Sequence, residues 1–510
     1  MSSHLAIPET SLWANRKCLL LCCLVATANM QYGFDSAAVG ALQAMPGFLK
    51  VFSYEDPSSA LGYGIDSTVQ QLITSLLTLG SFVSSLIAGF FSAYLGRKHA
   101  LWLACVFNAV GVAIQMATTS KGVLYLGPEA SPTHLRGIMV ALFAYWVNIG
   151  SILGAVVDNF TRIRLDKASY QIPLGFLFIV PTVLAVVLFF VPGSPRWLLH
   201  KGRDEQARKA LETLRGNSVD NKYIELEWAE MLRGVEEEKN LAKSIGFLDI
   251  FRGTDLRRTL LCYGMIACQT ASGVWFLIGY QTYFLSIAGI TKSFEFSIMN
   301  TCIGFIGVKF GMYAIRHVFG RRSILMIGAT ACGLSQLASA IAYTVKPGST
   351  TTGDVLVAFT AVFMFFYNGC VGSASYPVAT ELVSSRLRAW SVGTATSIGY
   401  ILAWLVGFCS PYFINPQDLN WGPKYGYIWA GSNAVCVLFF FFFMPEMKGR
   451  SPEELDEIFN ARTPAWKFKS FQCTIKDEAA FDMQEKIGMR IEKEGGIISN
   501  EVEDVQRDNV

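Results

Sequence analysis

The sequence predicts an all-α integral membrane protein. Of its 510 residues, 52% are hydrophobic and 16% are charged, whereas about 25% of the residues in soluble domains are charged. Apolar stretches of about 20 residues, the length that crosses the hydrocarbon core as a helix, recur along the chain. We therefore expect a multi-pass protein whose helices are these stretches.

Eleven apolar stretches divide the chain into two halves. The first half, residues 17–192, contains five of them, and the second half, residues 259–446, contains six. The predicted spans are 17–41, 70–95, 99–118, 137–158, 172–192, 259–286, 296–315, 323–345, 354–378, 389–414 and 425–444.

Three polar segments complete the predicted organisation. Residues 1–16 form a cytoplasmic N-terminus. The span that follows is too long for the core of a signal peptide, so we expect an uncleaved first helix. Residues 193–258 are rich in charge and predict a cytoplasmic helical loop, and residues 447–510 predict a cytoplasmic tail.

Composition and spacing exclude several classes of function. The net charge of +3 is too small to indicate nucleic-acid binding, and the basic residues lie beside spans, where they orient the protein. The 12 cysteines have no paired spacing, so neither disulfides nor a metal site is expected. Without a Walker A loop or a catalytic constellation, we expect no enzyme and no cofactor. Asn159 is the first residue of an Asn-Phe-Thr sequence, which fits the acceptor pattern for N-glycosylation.

The two halves share an internal repeat. A Gly-Arg turn follows the second span of each half, at Gly96 in LGRK and at Gly320 in FGRRS. Later in each half a glutamate precedes an arginine by seven residues, from Glu129 in EASPTHLRG and from Glu381 in ELVSSRLRA. Each half then ends in a proline-led basic exit, PGSPRW or PEMKGR. Such repeats are typical of transporters.

The spacing of these landmarks differs between the halves by about one helix. Glu129 follows Gly96 by 33 residues, whereas Glu381 follows Gly320 by 61. The first half is therefore 28 residues short, about one membrane helix and a turn. We predict that the equivalent of a fourth span is absent near residues 118–135, where the chain is polar.

The distribution of basic residues supports the missing span. Basic loops favour the cytoplasmic side, and eleven strictly alternating helices would put Arg196, Arg321 and Arg388 outside. The opposing evidence is the basic loop 162–167, which the favoured orientation places outside. More basic segments support the favoured orientation than oppose it, so we expect that orientation.

The motifs resemble those of a known family, the sugar porters of the major facilitator superfamily. The exit segment PEMKGRSPEELDEIF (Pro445–Phe459) carries the resemblance most specifically, with YGFD, GRK, GRR, PEASPTHLRG and PGSPRWL in support. QTASGVWFLIGYQTYF (Gln269–Phe284) is similar to the fungal branch of α-glucoside and hexose permeases. The resemblance runs from Trp13 to Phe459. It implies a major facilitator fold of two six-helix halves, here with the fourth helix missing.

The resemblance implies a cytoplasmic latch of ion pairs that part when a carrier changes state. The alternative is that these arginines only anchor loops. The first-half latch departs from the family pattern at Ala93 and Gly193, where an Asp and a Glu are usual. The latch residues are Gly96, Arg97, Glu129, Arg136, Arg196, Gly320, Arg321, Glu381, Arg388 and Glu446.

Asp35 is a carboxylate inside an otherwise apolar span. Such a group costs on the order of 3 kcal/mol on insertion scales and marks a functional site. It matches the proton site of proton-coupled family members, in which an arginine of the fourth helix sets its protonation. That arginine would lie in the missing segment. The resemblance therefore implies a proton site at Asp35 without its usual partner.

The resemblance also implies a sugar pocket, from which this chain departs. Gln269 is retained, but other family amides and an indole are replaced, by Ala144, Thr270, Trp275, Tyr376 and Gly399. The candidates to line the pocket with Gln269 are Tyr32, Trp146, Trp275, Tyr280 and Tyr376; helix packing is the alternative role for each. Lys309, a charge within a span, either snorkels to the interface or meets an anionic substrate.

One function and three alternatives follow. We expect a secondary active transporter that moves a sugar or related small polar metabolite by alternating access, with proton symport through Asp35. The alternatives are a carrier of an acidic or aromatic secondary metabolite, a non-transporting sensor, and an inactive truncated form that derives from a shortened gene model or a splice form. We expect a monomer in the plasma membrane, the family's usual place, with substrate, protons and lipid as its partners.

Overall fold

Helices account for almost all of the described chain, as expected for an all-α protein. The computed structural model describes residues 24, 27–56, 62–117, 140–215, 221–244, 246–384, 386–450 and 452–473. The helices of the first half are α1 (Ala28–Leu42), α2 (Pro46–Phe52), α3 (Ser67–Leu95), α4 (Arg97–Ala117), α5 (Val140–Thr161), α6 (Ala168–Phe176) and α7 (Ile179–Phe190). Between α2 and α3, the strands β1 (Tyr54–Glu55) and β2 (Tyr63–Gly64) pair antiparallel.

The charged central segment is helical, as predicted for residues 193–258. It contains α8 (Pro195–His200), α9 (Asp204–Arg215) and α10 (Asn221–Ser244), followed by a 3-10 turn at Phe247–Phe251. Leu199 of α8, Leu211 of α9 and Val235 of α10 are buried against one another. The remaining faces carry the charges, so this small bundle is a surface layer next to the membrane helices.

The second half has eight helices and a π-helical turn. They are α11 (Gly253–Ala271), α12 (Val274–Ile287), α13 (Ser293–His317), α14 (Arg321–Val345), α15 (Thr350–Phe366), the π turn (Tyr367–Gly372), α16 (Ser373–Leu382), α17 (Arg388–Ile414) and α18 (Gly426–Phe442). A 3-10 turn (Gly422–Tyr425) precedes α18. After it come α19 (Pro452–Asn460) and a 3-10 turn at Ala465–Ser470.

The predicted spans fall on these helices. Seven segments in the described chain are long and apolar enough to cross a membrane, at 168–190, 253–287, 293–317, 321–345, 350–382, 390–414 and 422–442. They coincide with the last seven predicted spans, and the first four overlap α1, α3, α4 and α5. The absence of a fourth span stays a prediction, because residues 118–139 lie outside the described part.

Within the first half, α1 and α5 run parallel. Met30 of α1 approaches Gly150 of α5, and one turn further along both helices Phe34 approaches Gly154. The Ser151 hydroxyl also donates to a carbonyl oxygen of α1 at 3.1 Å. Close contact along the whole pair fixes the direction of α5 relative to α1.

The helix before the predicted gap, α4, has the same direction. Leu101 near its start packs with Ala28 at the start of α1. Val112 near its end joins the core that contains Leu42 at the end of α1. Because α4 and α5 are both parallel to α1, the end of α4 and the start of α5 lie at opposite ends of the half.

The predicted span 259–286 is broken into two helices at Gly273. The φ of Gly273 is +88°, a left-handed conformation that favours glycine. A Cβ at this position would also lie 2.8 Å from the Trp429 indole. The break separates α11 from α12, and it places the first turns of α12 at the central cavity.

Part of the predicted tail belongs to the folded second half. Phe459 on α19 and Phe468 in the next 3-10 turn are 1% and 0% exposed and share a core with residues of α11, α16 and α18. The Arg258 guanidinium of α11 lies 4.7 Å from the centroid of the Phe459 ring. Residues 447–473 are therefore a structural part of the second half, and residues 474–510 lie outside the described part.

Removal of the Phe459 ring should destabilise the second half. We expect Phe459→Ala to lower the melting temperature of the purified protein in detergent, because truncation of a buried phenylalanine costs about 3–5 kcal/mol. Trp466→Ala is the matched control, since Trp466 lies in the same segment but is 65% exposed. Equal losses for the two variants would contradict the packing of this segment on the core.

Candidate functional site

A cavity of about 140 Å³ lies between the two halves. α1 and α5 form one wall, and α12, α13, α15 and the π turn form the other. The larger polar side chains that line it are Tyr32, Asn148, Asp158, Gln281, Tyr367 and Asn368, with serine and threonine hydroxyls between them. A small molecule held here would contact both halves at once.

Three side-chain amides from different helices converge on this cavity. Gln281 of α12 donates to the Ser297 hydroxyl at 3.4 Å. Asn368 of the π turn donates to the carbonyl oxygen of Met364 at 3.0 Å, and Asn148 projects from α5. Comparison with the family pattern indicated a loss of amides, and the structure supplies amides from positions that sequence reasoning missed.

A smaller cavity of about 20 Å³ adjoins the first. Tyr32, Ser36, Gly40 and Ile278 border both cavities, and Trp275 contributes its indole to the smaller one. The two cavities therefore form one region with a largely apolar lining, into which polar side chains project and which has an aromatic side.

Two of the predicted substrate residues, Tyr32 and Trp275, thus line the described cavities. Two more lie close to them. Gln269 lies against the Tyr367 hydroxyl, and Tyr376 lies near Tyr32. These four residues belong to one neighbourhood, as a shared binding role requires.

Three other candidates lie elsewhere. Tyr280 is fully buried, and its hydroxyl donates to the Gly407 carbonyl oxygen at 2.8 Å. Trp146 packs on the adjacent tyrosine. Lys309 is exposed, with its Nζ atom 4.9 Å from the centroid of the Phe305 ring. None of the three borders the two cavities, and packing or cation–π contact accounts for each in this state.

Asp35 is buried in α1, near Tyr32 but outside both cavity linings. Within the described ranges no cation faces its carboxylate. The role of Asp35 as a proton site stays a prediction.

Asp158 is a second intramembrane carboxylate, which sequence reasoning missed. It is 0% exposed and borders the larger cavity. Neither of its carboxylate oxygens has a hydrogen-bond partner among the described residues. The signal was available, because Asp158 is the last residue of the predicted span 137–158 and the rule applied to Asp35 holds here as well.

Polar bonds join the two halves at one end of the molecule. We call the end that holds Lys98, Arg196 and Arg321 the basic end, and the opposite end the far end. At the far end, the Arg162 guanidinium of the first half binds the Glu295 carboxylate of the second at 2.6 Å. This ion pair connects α5 to α13.

A second connection at the far end is centred on Asn415, which is 2% exposed. Its Nδ2 atom donates to the Ser67 hydroxyl at 2.7 Å and to Gln70 Oε1 at 2.8 Å. Its Oδ1 atom accepts from the Tyr283 hydroxyl at 3.1 Å. We refer to these bonds and the Arg162–Glu295 pair together as the far-end clamp, which holds the halves together on that side.

Three of the proposed second-half latch residues, Arg321, Glu381 and Glu446, form one connected unit at the basic end. Arg321 binds Glu381 through two hydrogen bonds of 3.0 and 2.9 Å. Glu446 accepts from the Arg321 backbone N–H at 2.8 Å and so caps α14. Gly320 leaves room for this cap, because a Cβ there would lie 2.0 Å from the Glu446 carboxylate and would displace it. Arg388 begins α17 and is exposed.

The first-half latch is described only in part. Gly96 forms the turn between α3 and α4 with a φ of +87°, and Arg196 lies in α8. The side chain of Arg97 and the residues Glu129 and Arg136 lie outside the described part of the chain. A closed latch in the first half therefore stays a prediction.

Asn159, the predicted glycosylation acceptor, lies in the last turn of α5. Its Oδ1 atom is buried, whereas glycan acceptors normally lie in surface loops. Glycosylation of Asn159 stays a prediction.

Comparison with known proteins identifies the fold and the family. A sequence model described as "Sugar (and other) transporter" matches residues 21–127 and 123–459. The major facilitator-type transporter ecdD of Aspergillus rugulosus is 28% identical over 474 residues, which cover 86% of this chain and 87% of that protein. The low-affinity glucose transporter of Kluyveromyces lactis is 24% identical over 495 residues, which cover 91% and 86%.

A solved structure of the xylose transporter XylE from E. coli, in a partially occluded inward open conformation, superposes with a TM-score of 0.66 at 15% identity. The match covers 86% of this chain and 100% of that one, and it confirms the predicted major facilitator fold. The cavity described above lies between the two halves of this fold. The chain is therefore a multi-pass membrane transporter rather than an enzyme, and it belongs to the sugar (and other) transporter family.

Proposed function

We propose that this protein is a secondary active transporter that moves a sugar or a related small polyol by alternating access. The observation that carries the proposal is the convergence of the Asn148, Gln281 and Asn368 amides on a cavity between the halves. Each amide both donates and accepts hydrogen bonds, as ring hydroxyls require. The similarity to a protein named as a glucose transporter, over 91% of this chain, supports the same class of substrate.

We infer that the basic end faces the cytoplasm, since basic residues favour that side. The far-end clamp then closes the extracellular side, and the cavity communicates with the cytoplasm. Transport requires the clamp to part while the halves close at the basic end. The superposition on an inward open carrier supports this assignment of state. We propose a monomer in the plasma membrane. The inferred orientation puts its charged central bundle inside the cell.

The aromatic side of the cavity supports one alternative substrate class. Tyr32 and Trp275 offer ring faces on which an aromatic metabolite would stack. An acidic metabolite is less well supported, because Lys309 contacts aromatic rings and does not border either cavity. Proton symport through Asp35 belongs to the proposal as a separate step, and the sensor remains the alternative for a chain that shows no flux.

The predicted loss of a fourth span has support from the family match, whose two segments meet at residues 123–127. We expect the full-length transcript to contain an additional in-frame stretch of about 25–30 codons, one helix's worth, between the codons for Gln115 and Gly137. Sequencing of that transcript is the measurement. If the short form is the sole transcript, the helix was lost in this lineage, and the inactive alternative gains weight.

Replacement of the cavity amides should impair sugar uptake. We expect Gln281→Leu and Asn368→Leu each to reduce uptake of labelled glucose into proteoliposomes about tenfold, since a sugar hydroxyl left without its partner costs about 1–3 kcal/mol. Gln206→Leu on α9 is the control, because Gln206 is exposed. An effect equal to that of the control would contradict the cavity as the binding site. Uptake blocked by carboxylic acids and not by neutral sugars would establish the acidic-metabolite alternative.

Weakening of the far-end clamp should open the cavity to the outside. We expect Asn415→Ala to accelerate labelling of a Thr301→Cys variant by a membrane-impermeant thiol reagent about fivefold, because loss of a buried hydrogen bond shifts the equilibrium by about 1 kcal/mol. Thr301 lines the cavity. Gln417→Ala, at an exposed neighbouring position, is the control, and the chain without the added cysteine gives the background. Faster labelling from the cytoplasmic side instead would show that the assigned orientation is inverted.

A further inference from the structure

The carboxylate of Asp158 has an environment that the proposed sugar transport does not explain. Asp158 is 0% exposed, yet it borders the inter-half cavity. Within the described part of the chain, both of its oxygens lack a hydrogen-bond partner. An ionised carboxylate buried without a partner is strongly disfavoured, so such a group either holds a proton or waits for a cation.

A cation is available one helical turn away. The backbone N–H of Arg162 donates to the Asp158 carbonyl oxygen at 2.9 Å, so the two side chains follow each other at an i, i+4 spacing, which puts them on one face. In this state the guanidinium binds Glu295 at 2.6 Å and lies 5.1 Å from the centroid of the Phe294 ring. Phe294 borders the same cavity as Asp158.

The remaining charged groups near Asp158 lie on the helices packed against α5 and on the connection to α6. On the helices packed against α5 they are Asp35 on α1, Glu295, Lys309, Arg316 and His317 on α13, and Glu381 on α16, while α6 carries none. The connection to α6 adds the exposed Arg164, Asp166 and Lys167. Of these groups, Glu295 is bonded to Arg162, which follows Asp158 by one helical turn. One cation is thus bonded to the carboxylate of Glu295 and shares a helix face with the carboxylate of Asp158.

We propose that Asp158 is a proton-binding site of the transport cavity, and that Arg162 exchanges between Glu295 and Asp158 as the far-end clamp closes and opens. With the clamp closed, Arg162 neutralises Glu295 and Asp158 holds a proton on a carboxylate oxygen. When the halves part at the far end, Arg162 loses Glu295, turns to Asp158 and stabilises its ionised form, and Asp158 then exchanges its proton with water in the opened cavity. The inference rests on the proposed transport function, because alternating access is what parts the halves.

Infrared spectroscopy of the reconstituted full chain tests the site without any substrate. Infrared difference spectra are recorded between about pH 5 and pH 9, above the range in which exposed carboxyl groups titrate. They should contain the C=O band of a protonated carboxyl group. We expect Asp158→Asn to remove one component of this band, and Asp35→Asn to leave that component in place. An Asp158→Asn spectrum identical to that of the unaltered chain would overturn the proton site.

The exchange of Arg162 is tested separately, in variants that retain Asp158. We expect Glu295→Gln to move the titration midpoint of the Asp158 band to lower pH by about one unit or more, because the released guanidinium then favours the ionised carboxylate. In the Arg162→Gln background the same substitution should produce no such movement. An unchanged midpoint in Glu295→Gln alone would overturn the exchange.

Transport assays separate this inference from the proposed function. If the infrared results hold while labelled glucose is not taken up, the proposed sugar transport fails and the proton site stands. If glucose uptake is intact and independent of an imposed proton gradient in both the unaltered chain and Asp158→Asn, the coupling role of Asp158 fails while sugar transport stands.

Discussion

Hydrocarbon offers no hydrogen-bond partner, and the arrangement of this protein follows from that constraint. Many polar side chains inside the membrane helices bond to groups on neighbouring helices or border the central cavity. Asn415 exemplifies the first solution, with both atoms of its amide bonded to groups on neighbouring helices. The amides of Gln281 and Asn368 exemplify the second. Asp158 borders the cavity, but its carboxylate has no hydrogen bond within the described chain.

Much of the architecture could be predicted from the sequence, because hydropathy depends on composition alone. Each of the eleven predicted spans overlaps a helix, and the Gly320, Glu381 and Glu446 motifs fall in one bonded unit. The cavity lining could not be predicted in the same way, since it depends on the rotation of each helix about its axis. Asn368 reaches the cavity from a π turn. Such a turn contains one more residue than a turn of α-helix, and no periodic pattern in the sequence predicts it.

The two halves are unequal in how they are held. In the second half, Arg321, Glu381 and Glu446 tie α14 to α16 and to the chain that follows α18. Packing against α19 adds a further layer to that half. In the first half, α4 and α5 point in the same direction on either side of the predicted gap, and a carrier of this fold normally has a returning helix between them. The connection between α4 and α5 lies outside the described part of the chain, so the absence of that helix stays a prediction.

The packed segment that ends at Cys473 sets the position of everything beyond it. Because Phe459, Phe468 and Cys473 are buried in the second half, the C-terminal residues start from a fixed point on that half alone. During a transport cycle the two halves rotate relative to each other. A protein bound to the C-terminal residues would therefore move with the second half and change its position relative to the first. Tension on the C-terminus would be transmitted to the second half as a rigid body.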